Sequence, residues 1–220
     1  MPHPKTPKNP KSPETRDIED VLLSLCDSVT HVLNAATNDH VHYSAMVQVI
    51  QKTGLKPDIG CFVLFDGGFA GLVVINFSSE AAMELYSQYL LNMGISESEL
   101  AKTHTAPDVS NVMGELMNQI VGDFTRRIQE ELQTNITQSQ PKMLVLNKEV
   151  TLNVDTNLDQ PQARRISFFT GSNHVFYVEL AMDNVTFLPL KNAKAPKKSQ
   201  KNKASTVEND NDELLRSLGM

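Results

Sequence analysis

The chain has 220 residues with no tryptophan, only two cysteines, and aromatic residues at 6% of the total. The cysteines, Cys26 and Cys61, match neither the paired spacing of a metal site nor a redox Cys-x-x-Cys motif. Both lie in apolar-patterned segments and are expected as buried thiols in a reducing compartment. Long apolar runs are missing as well: none approaches the ~20 residues that cross a bilayer. The opening stretch, "MPHPKTPKNPKSP", carries charge but no apolar segment, so it lacks the pattern of a secretory signal. A soluble cytoplasmic protein is the expectation, with no membrane contact. There is also no general excess of positive charge. The formal net charge is −6, which gives no overall pull toward nucleic acid. Lysine-rich stretches sit near both ends, so the middle of the chain is more acidic than the total implies.

Composition divides the chain. Residues 1–16 alternate proline with lysine and small polar residues and read as a disordered or polyproline-like arm. Residues 17–190 carry the core-forming side chains and are expected as the folded domain. "DIEDVLLSLCDSVTHVLNAA" has helical spacing with acids in its first turn. "HYSAMVQVIQK" reads as a strand. "DIGCFVLFDGGFAGLVVINF" places two apolar, β-rich runs on either side of Asp66-Gly67-Gly68, a hairpin signal. "SSEAAMELYSQYLLNMG" begins with a serine cap and stops before Gly94, as a helix does. A polar linker then leads to a long helix from about Asp108 to about Leu132. "KMLVLNKEVTLNV", "ARRISFFTG" and "HVFYVELAMD" follow as strands, the last two joined by a turn. Helices and strands mix without a βαβ rhythm, so the expected fold class is α+β with a largely antiparallel sheet packed against long helices.

The long helix holds the most informative pattern. Val109, Val112, Met113, Leu116, Met117, Ile120 and Phe124 share one apolar arc. Asn111, Glu115, Asn118 and Gly122 form a stripe on the opposite side, at offsets i, i+4, i+7 and i+11. Glu115 and Asn118, three residues apart, are neighbours on that face. Two glycines, Gly114 and Gly122, interrupt the helix, each at a cost of about 1 kcal/mol relative to alanine. Gly122 shares the polar stripe and lets something approach the backbone closely. Gly114 points to the edge of the apolar arc, where close packing on the sheet is the expected reason for it.

These residues resemble the CheC/CheX/FliY group of chemotaxis phosphatases. That family is marked by Asp or Ser, three residues, Glu, two residues, Asn, and a proline about 22 residues on. Glu115-Leu-Met-Asn118 supplies the Glu-x-x-Asn, and Pro141 follows Asn118 after 22 intervening residues. Gly114-Glu115-Leu116 looks like the family's Gly-Glu-Leu core. "GGFAGLVVINFSSEAAMELYSQYL" looks like the CheX hairpin, strand and helix. The Asp/Ser position holds Asn111, with Ser110 one residue off register. The first helix has no Glu-x-x-Asn, which favours the single-site CheX type. The resemblance implies dephosphorylation of a phospho-aspartyl, CheY-like response regulator in chemotaxis or two-component signalling. It also implies a homodimer. Mg²⁺ is expected on the partner regulator, and no cofactor or metal on this chain. Asn118 is the candidate for orienting the attacking water, Glu115 for pairing with a lysine of the regulator, and Asn111 and Gly122 for supporting them. The alternative is a non-catalytic CheX-fold adaptor that binds a response regulator or flagellar component. His40 and His42, with His31, have no accompanying carboxylate or cysteine spacing, so no metal site is expected there.

Beyond the domain, residues 191–207 read as a lysine-rich flexible linker without interleaved aromatics, which does not suit nucleic acid. Its reach is roughly 20–25 Å, enough to hold a captured partner near the helix at roughly millimolar effective concentration. Residues 208–220, "ENDNDELLRSLGM", resemble the short acidic, Leu-Leu peptides that flagellar switch proteins present to CheY. They offer Leu214, Leu215 and Leu218 for helix-in-groove docking.

Overall fold

In a computed structural model of the chain, residues 16–146, 150–154 and 157–187 are described. The first helix, α1 (Ile18–Thr37), is opened by a capping box. The Asp17 side chain accepts from the Glu19 N–H, and the Asp20 carboxylate accepts from the Asp17 N–H at 3.0 Å. The second helix, α2 (Ser79–Asn92), starts where the Ser78 hydroxyl accepts from the Ala81 N–H at 3.1 Å. The third, α3 (Pro107–Leu132), begins on a proline, whose missing N–H costs nothing at that position, and ends at Gln133 in the left-handed conformation. A single 3₁₀ turn, Glu97–Glu99, lies in the linker between α2 and α3.

The strands are β1 (His42–Val49), β2 (Gly54–Leu55), β3 (Ile59–Gly67), β4 (Gly71–Phe77), β5 (Ile136–Gln138), β6 (Lys142–Val145), β7 (Leu152–Asn153), β8 (Gln162–Phe169) and β9 (Val175–Met182). Among the described residues, seven of them form one sheet in the order β1-β8-β9-β4-β3-β5, with β6 also paired to β3. Every pairing is antiparallel. The fold is therefore α+β, with an antiparallel sheet and three helices, as the pattern of apolar runs indicates. The β3–β4 hairpin turns at Gly67, whose φ of 136° is open to glycine and strained for other residues. Gly71, the first residue of β4, has no room for a side chain: a Cβ there would meet the Phe65 ring and lie 2.6 Å from the Ala181 carbonyl.

The helices cover one face of the sheet. Leu22, Leu25, Val29 and Leu33 of α1 and Leu116, Ile120 and Phe124 of α3 are buried in one core with Val73, Ile75, Phe168, Phe176, Val178 and Leu180. β4 is buried along its whole length because both of its faces are covered. On the far face, a second apolar cluster of Leu55, Leu72, Val74, Leu146, Ala163 and Ala181 lies under a two-stranded ribbon of β2 and β7. Polar hooks fasten that ribbon. Asn76 accepts from the Lys56 N–H at 2.7 Å and donates to the Gly54 carbonyl at 2.9 Å. The fully buried Glu179 accepts from the Gly54 N–H at 3.1 Å and pairs with Arg165 at 2.7 Å, so its charge is met.

Three expectations need correction in detail. The stretch read as one strand, "KMLVLNKEVTLNV", divides into β6, which joins the main sheet, and β7, which pairs with β2. β2 and β5 have no counterpart in the sequence reading. Arg16, placed in the N-terminal arm, pairs with Phe187 through two backbone hydrogen bonds of 3.0 and 2.8 Å. The rest of the arm, the lysine-rich linker and the tail with Leu214, Leu215 and Leu218 lie outside the described residues. Cys26 and Cys61 are buried free thiols. Burial pushes both up to about 12, with the nearby Asp27 charge adding to the rise at Cys26. No helix among the described residues is long and apolar enough to cross a membrane.

Candidate functional site

The long helix α3 is anchored by its apolar face. Val109, Met113, Leu116, Met117, Ile120, Val121, Phe124 and Ile128 are buried, and Val112 is half-buried. It runs antiparallel to α1: the Ser24 hydroxyl donates to Glu131 at 2.8 Å, and His31, further along α1, stands 3.7 Å from Asp123. With one face in the core and α1 alongside, the remaining face is held rigidly toward solvent. Asn111, Glu115, Asn118 and Gly122 are all exposed on it. Glu115 and Asn118 are separated by about 4.5 Å of helix rise, and Gly122 lies about 6 Å beyond Asn118.

The Glu115 carboxylate forms no ion pair among the described residues. Its partner is Gln119, whose Nε2 donates to Oε1 at 3.1 Å. Gln119 is absent from the sequence-based candidates, although its i,i+4 spacing from Glu115 is the signal that pairs them. One carboxylate oxygen is engaged, and the other has no partner among the described residues. The Asn118 and Asn111 side chains make no hydrogen bond among the described residues, so each carboxamide is free to accept and donate.

The two glycines behave differently. A Cβ on Gly122 would have nothing within 4 Å, which makes the backbone there a bare notch in the polar stripe. A Cβ on Gly114 would lie 3.7 Å from Met143 of β6, an ordinary contact. Gly114 does face the sheet side, but packing there does not require the absence of a side chain. The same contact places Pro141, at the head of β6, two residues from the strand position that touches α3. The 22 residues between Asn118 and Pro141 carry the chain down the rest of α3, through β5 and back to the helix.

Beyond Gly122 the charge pattern changes. Asp123, with 10% of its side chain exposed, binds Arg126 at 2.7 Å and Arg127 at 2.7 Å. Burial pushes the Asp123 carboxyl up, but hydrogen bonds from Arg127 and Arg126 outweigh it and hold the group down at about 2. Arg126 also reaches Glu130 at 2.8 Å. The four-residue spacing that links Asn118 to Gly122 extends the stripe to Arg126, which is exposed. The histidines are dispersed. His31 belongs to the α1–α3 contact, while His40 and His42 lie at the start of β1 with ring centroids 6.2 Å apart, His42 stacking on Phe169.

Known proteins share this architecture. Chemotaxis protein CheX from Vibrio vulnificus is similar with a TM-score of 0.61 at 13% identity, over 74% of this chain and 99% of that one. A putative chemotaxis protein from Desulfovibrio vulgaris Hildenborough gives a TM-score of 0.61 at 18% identity, over 74% and 97%. CheX from Borrelia burgdorferi, solved as a complex with CheY, BeF3 and Mg2+, gives 0.52 at 17% identity, over 75% and 99%. The fold is thus CheX-like. No curated protein matches the chain. A family model described as "Protein of unknown function (DUF3334)" matches residues 12–220, and the chain belongs to that family.

Proposed function

We propose that this chain stimulates dephosphorylation of a CheY-like response regulator through the exposed ridge of α3. The observation that carries the reading is the Glu115–Asn118 pair. On a CheX-like fold, a carboxylate with no protein cation and an unoccupied carboxamide stand side by side on a rigid, solvent-facing helix. The Borrelia relative, solved with CheY, BeF3 and Mg2+, supports a receiver domain as the partner. The phosphoryl group resides on an aspartate of that partner, with Mg²⁺ bound there to offset charge. The task left to this chain is positioning. The Asn118 carboxamide accepts a hydrogen bond from a water and sets it in line with phosphorus. The water oxygen forms the new bond, the bond to the aspartyl oxygen breaks, and inorganic phosphate leaves. Glu115 pairs with a lysine of the regulator and fixes register, with Gln119 holding the carboxylate in place. Asn111 extends the ridge and Gly122 leaves room for the partner. A receiver partner implies work in the cytoplasm, and the family resemblance extends to a homodimer, which light scattering of the purified chain would measure.

A second reading is favoured by one residue. Asn111 stands where the family carries Asp or Ser, which fits an adaptor that binds a receiver without turning it over. One experiment separates the two. The full chain is mixed with a panel of phosphorylated receiver domains, and phosphate loss and binding are followed together. Asn118→Ala is expected to lower stimulated phosphate loss by about 100-fold or more with binding retained, the scale of losing a positioning group. Glu115→Ala is expected to weaken binding as well. Binding with no acceleration by the wild type would establish the adaptor, and undiminished turnover by Asn118→Ala would overturn the mechanism.

A further inference from the structure

We infer that Arg126 is a second docking contact of the same ridge, one that takes a carboxylate on the partner regulator. The inference rests on the reading of α3 as a regulator-binding ridge and adds the charge pattern that the partner must present. Arg126 stands eleven positions beyond Glu115, three helical turns plus a small angle. The two side chains therefore lie in line, about 16 Å apart along the axis. Gly122 lies between them with nothing near its missing side chain, so a body resting on the helix meets no obstruction from one charge to the other.

Arg126 is built to present its charge. Its side chain is 52% exposed, yet Nη2 binds Asp123 at 2.7 Å and Nη1 binds Glu130 at 2.8 Å. These two contacts hold the guanidinium in one place while leaving most of its five N–H donors unused. An ordered arginine loses less rotamer entropy on binding than a free one. The two contacts are unequal. The Asp123 carboxylate is largely covered and also holds Arg127, whereas Glu130 is 61% exposed. Exposed i,i+4 pairs of that kind contribute little, so Glu130 yields readily to a carboxylate arriving with a partner that excludes water.

Charge complementarity names the occupant. The chain carries a net charge of −6, and the residues of the ridge before Arg126 contribute only the negative charge of Glu115. A partner whose reactive group is an aspartyl phosphate is itself acidic around its site. Two acidic bodies meeting on one helix need a cation in the contact, and on this stripe Arg126 is that cation. The partner surface that fits has a cation for Glu115 and, about 16 Å away, an aspartate or glutamate for Arg126.

The test uses the full chain against receiver domains loaded with beryllofluoride and Mg²⁺ as a stable phosphoryl mimic. Binding is titrated at low and moderate salt. Arg126→Glu is expected to raise Kd about tenfold or more, Arg126→Gln a few-fold, and both to flatten the salt dependence of association. Phosphate loss at saturating enzyme should stay within about twofold, because Arg126 lies too far from Asn118 to touch the reacting atoms. Unchanged melting of Arg126→Gln separates a docking loss from a folding defect. If Kd is unmoved in both Arg126 variants while Glu115→Ala weakens binding, Arg126 is only a helix ion pair and the inference falls, with the function standing. If no receiver binds the wild-type chain, both fall together.

Discussion

The two glycines of α3 show what a residue's surroundings add to its sequence context. In the sequence both are costs inside a helix, and both invite a packing or contact explanation. The structure separates them by what an added methyl would meet: nothing at 122, and Met143 at an ordinary 3.7 Å at 114. Neither is demanded by the isolated fold. Gly122→Ala and Gly114→Ala should therefore each stabilise the free chain by about 0.5–1 kcal/mol, the helix-propensity difference, as measured by urea unfolding. A loss of stability at 122 would mean that the notch is filled. The consequences diverge in binding: Gly122→Leu should weaken receiver capture, whereas Gly114→Ala should leave it intact. Glu115 teaches a related lesson. It has no cation to pair with among the described residues, yet Gln119 one turn on donates to it. The i,i+4 rule that finds ion pairs finds carboxylate–carboxamide pairs equally well.

Among the elements, the long ones were legible and the short ones were not. α1, α2, α3 and the β3–β4 hairpin each carry a period and a boundary signal within their own residues. β2 carries neither, and β7 lies in a stretch whose pattern reads as one longer strand. Each is two residues long and exists because side chains elsewhere hold it: Asn76 and Glu179 hook Gly54, and Leu55 fills the far-face cluster. Such a ribbon is a tertiary feature, and no local pattern announces it. The site shares this division. Helical spacing puts Glu115 and Asn118 on one face, whereas Pro141 entered through the family resemblance; its distance from Asn118 is the return path through β5 and β6, which only the pairing to β3 reveals. The ribbon also gives a prediction at this scale. A methyl on Gly60 would fall 2.7 Å from Cδ2 and 2.9 Å from Cβ of Leu55. Cβ cannot rotate away, so β2 must lift. Gly60→Ala should cost about 1–3 kcal/mol, as overpacking does, with the loss seen in urea unfolding. Full wild-type stability would show that the ribbon floats on the sheet instead of being seated in it.

At the scale of the molecule, the helical layer stays together through apolar packing reinforced by a few shielded charges, and Asp123 is the one whose pH dependence is best defined. It joins α3 to itself through Arg126 and Arg127 and faces His31 of α1, so it sits beside the seam that holds the exposed ridge of α3 in place. Its carboxyl is held at about 2 in the folded chain, against roughly 3.9 for a free aspartate. A folded-state value below the unfolded one means that the unfolded chain binds the proton more tightly. The stabilisation is then complete above about pH 4 and fades as pH falls through about 2, the window set by those two values. Partial exposure of the two arginines screens the contacts, so the contribution at neutral pH is on the order of 1–2 kcal/mol. Asp123→Asn removes the charge at every pH. Urea unfolding of the wild type and of this variant should differ by that amount at pH 7, and the gap should close as both are taken toward pH 2. A gap of the same size at both ends would mean that Asp123 acts through its shape and hydrogen bonds alone. In that case the arginine cluster beside the ridge would owe its order to packing against α1 and not to the carboxylate.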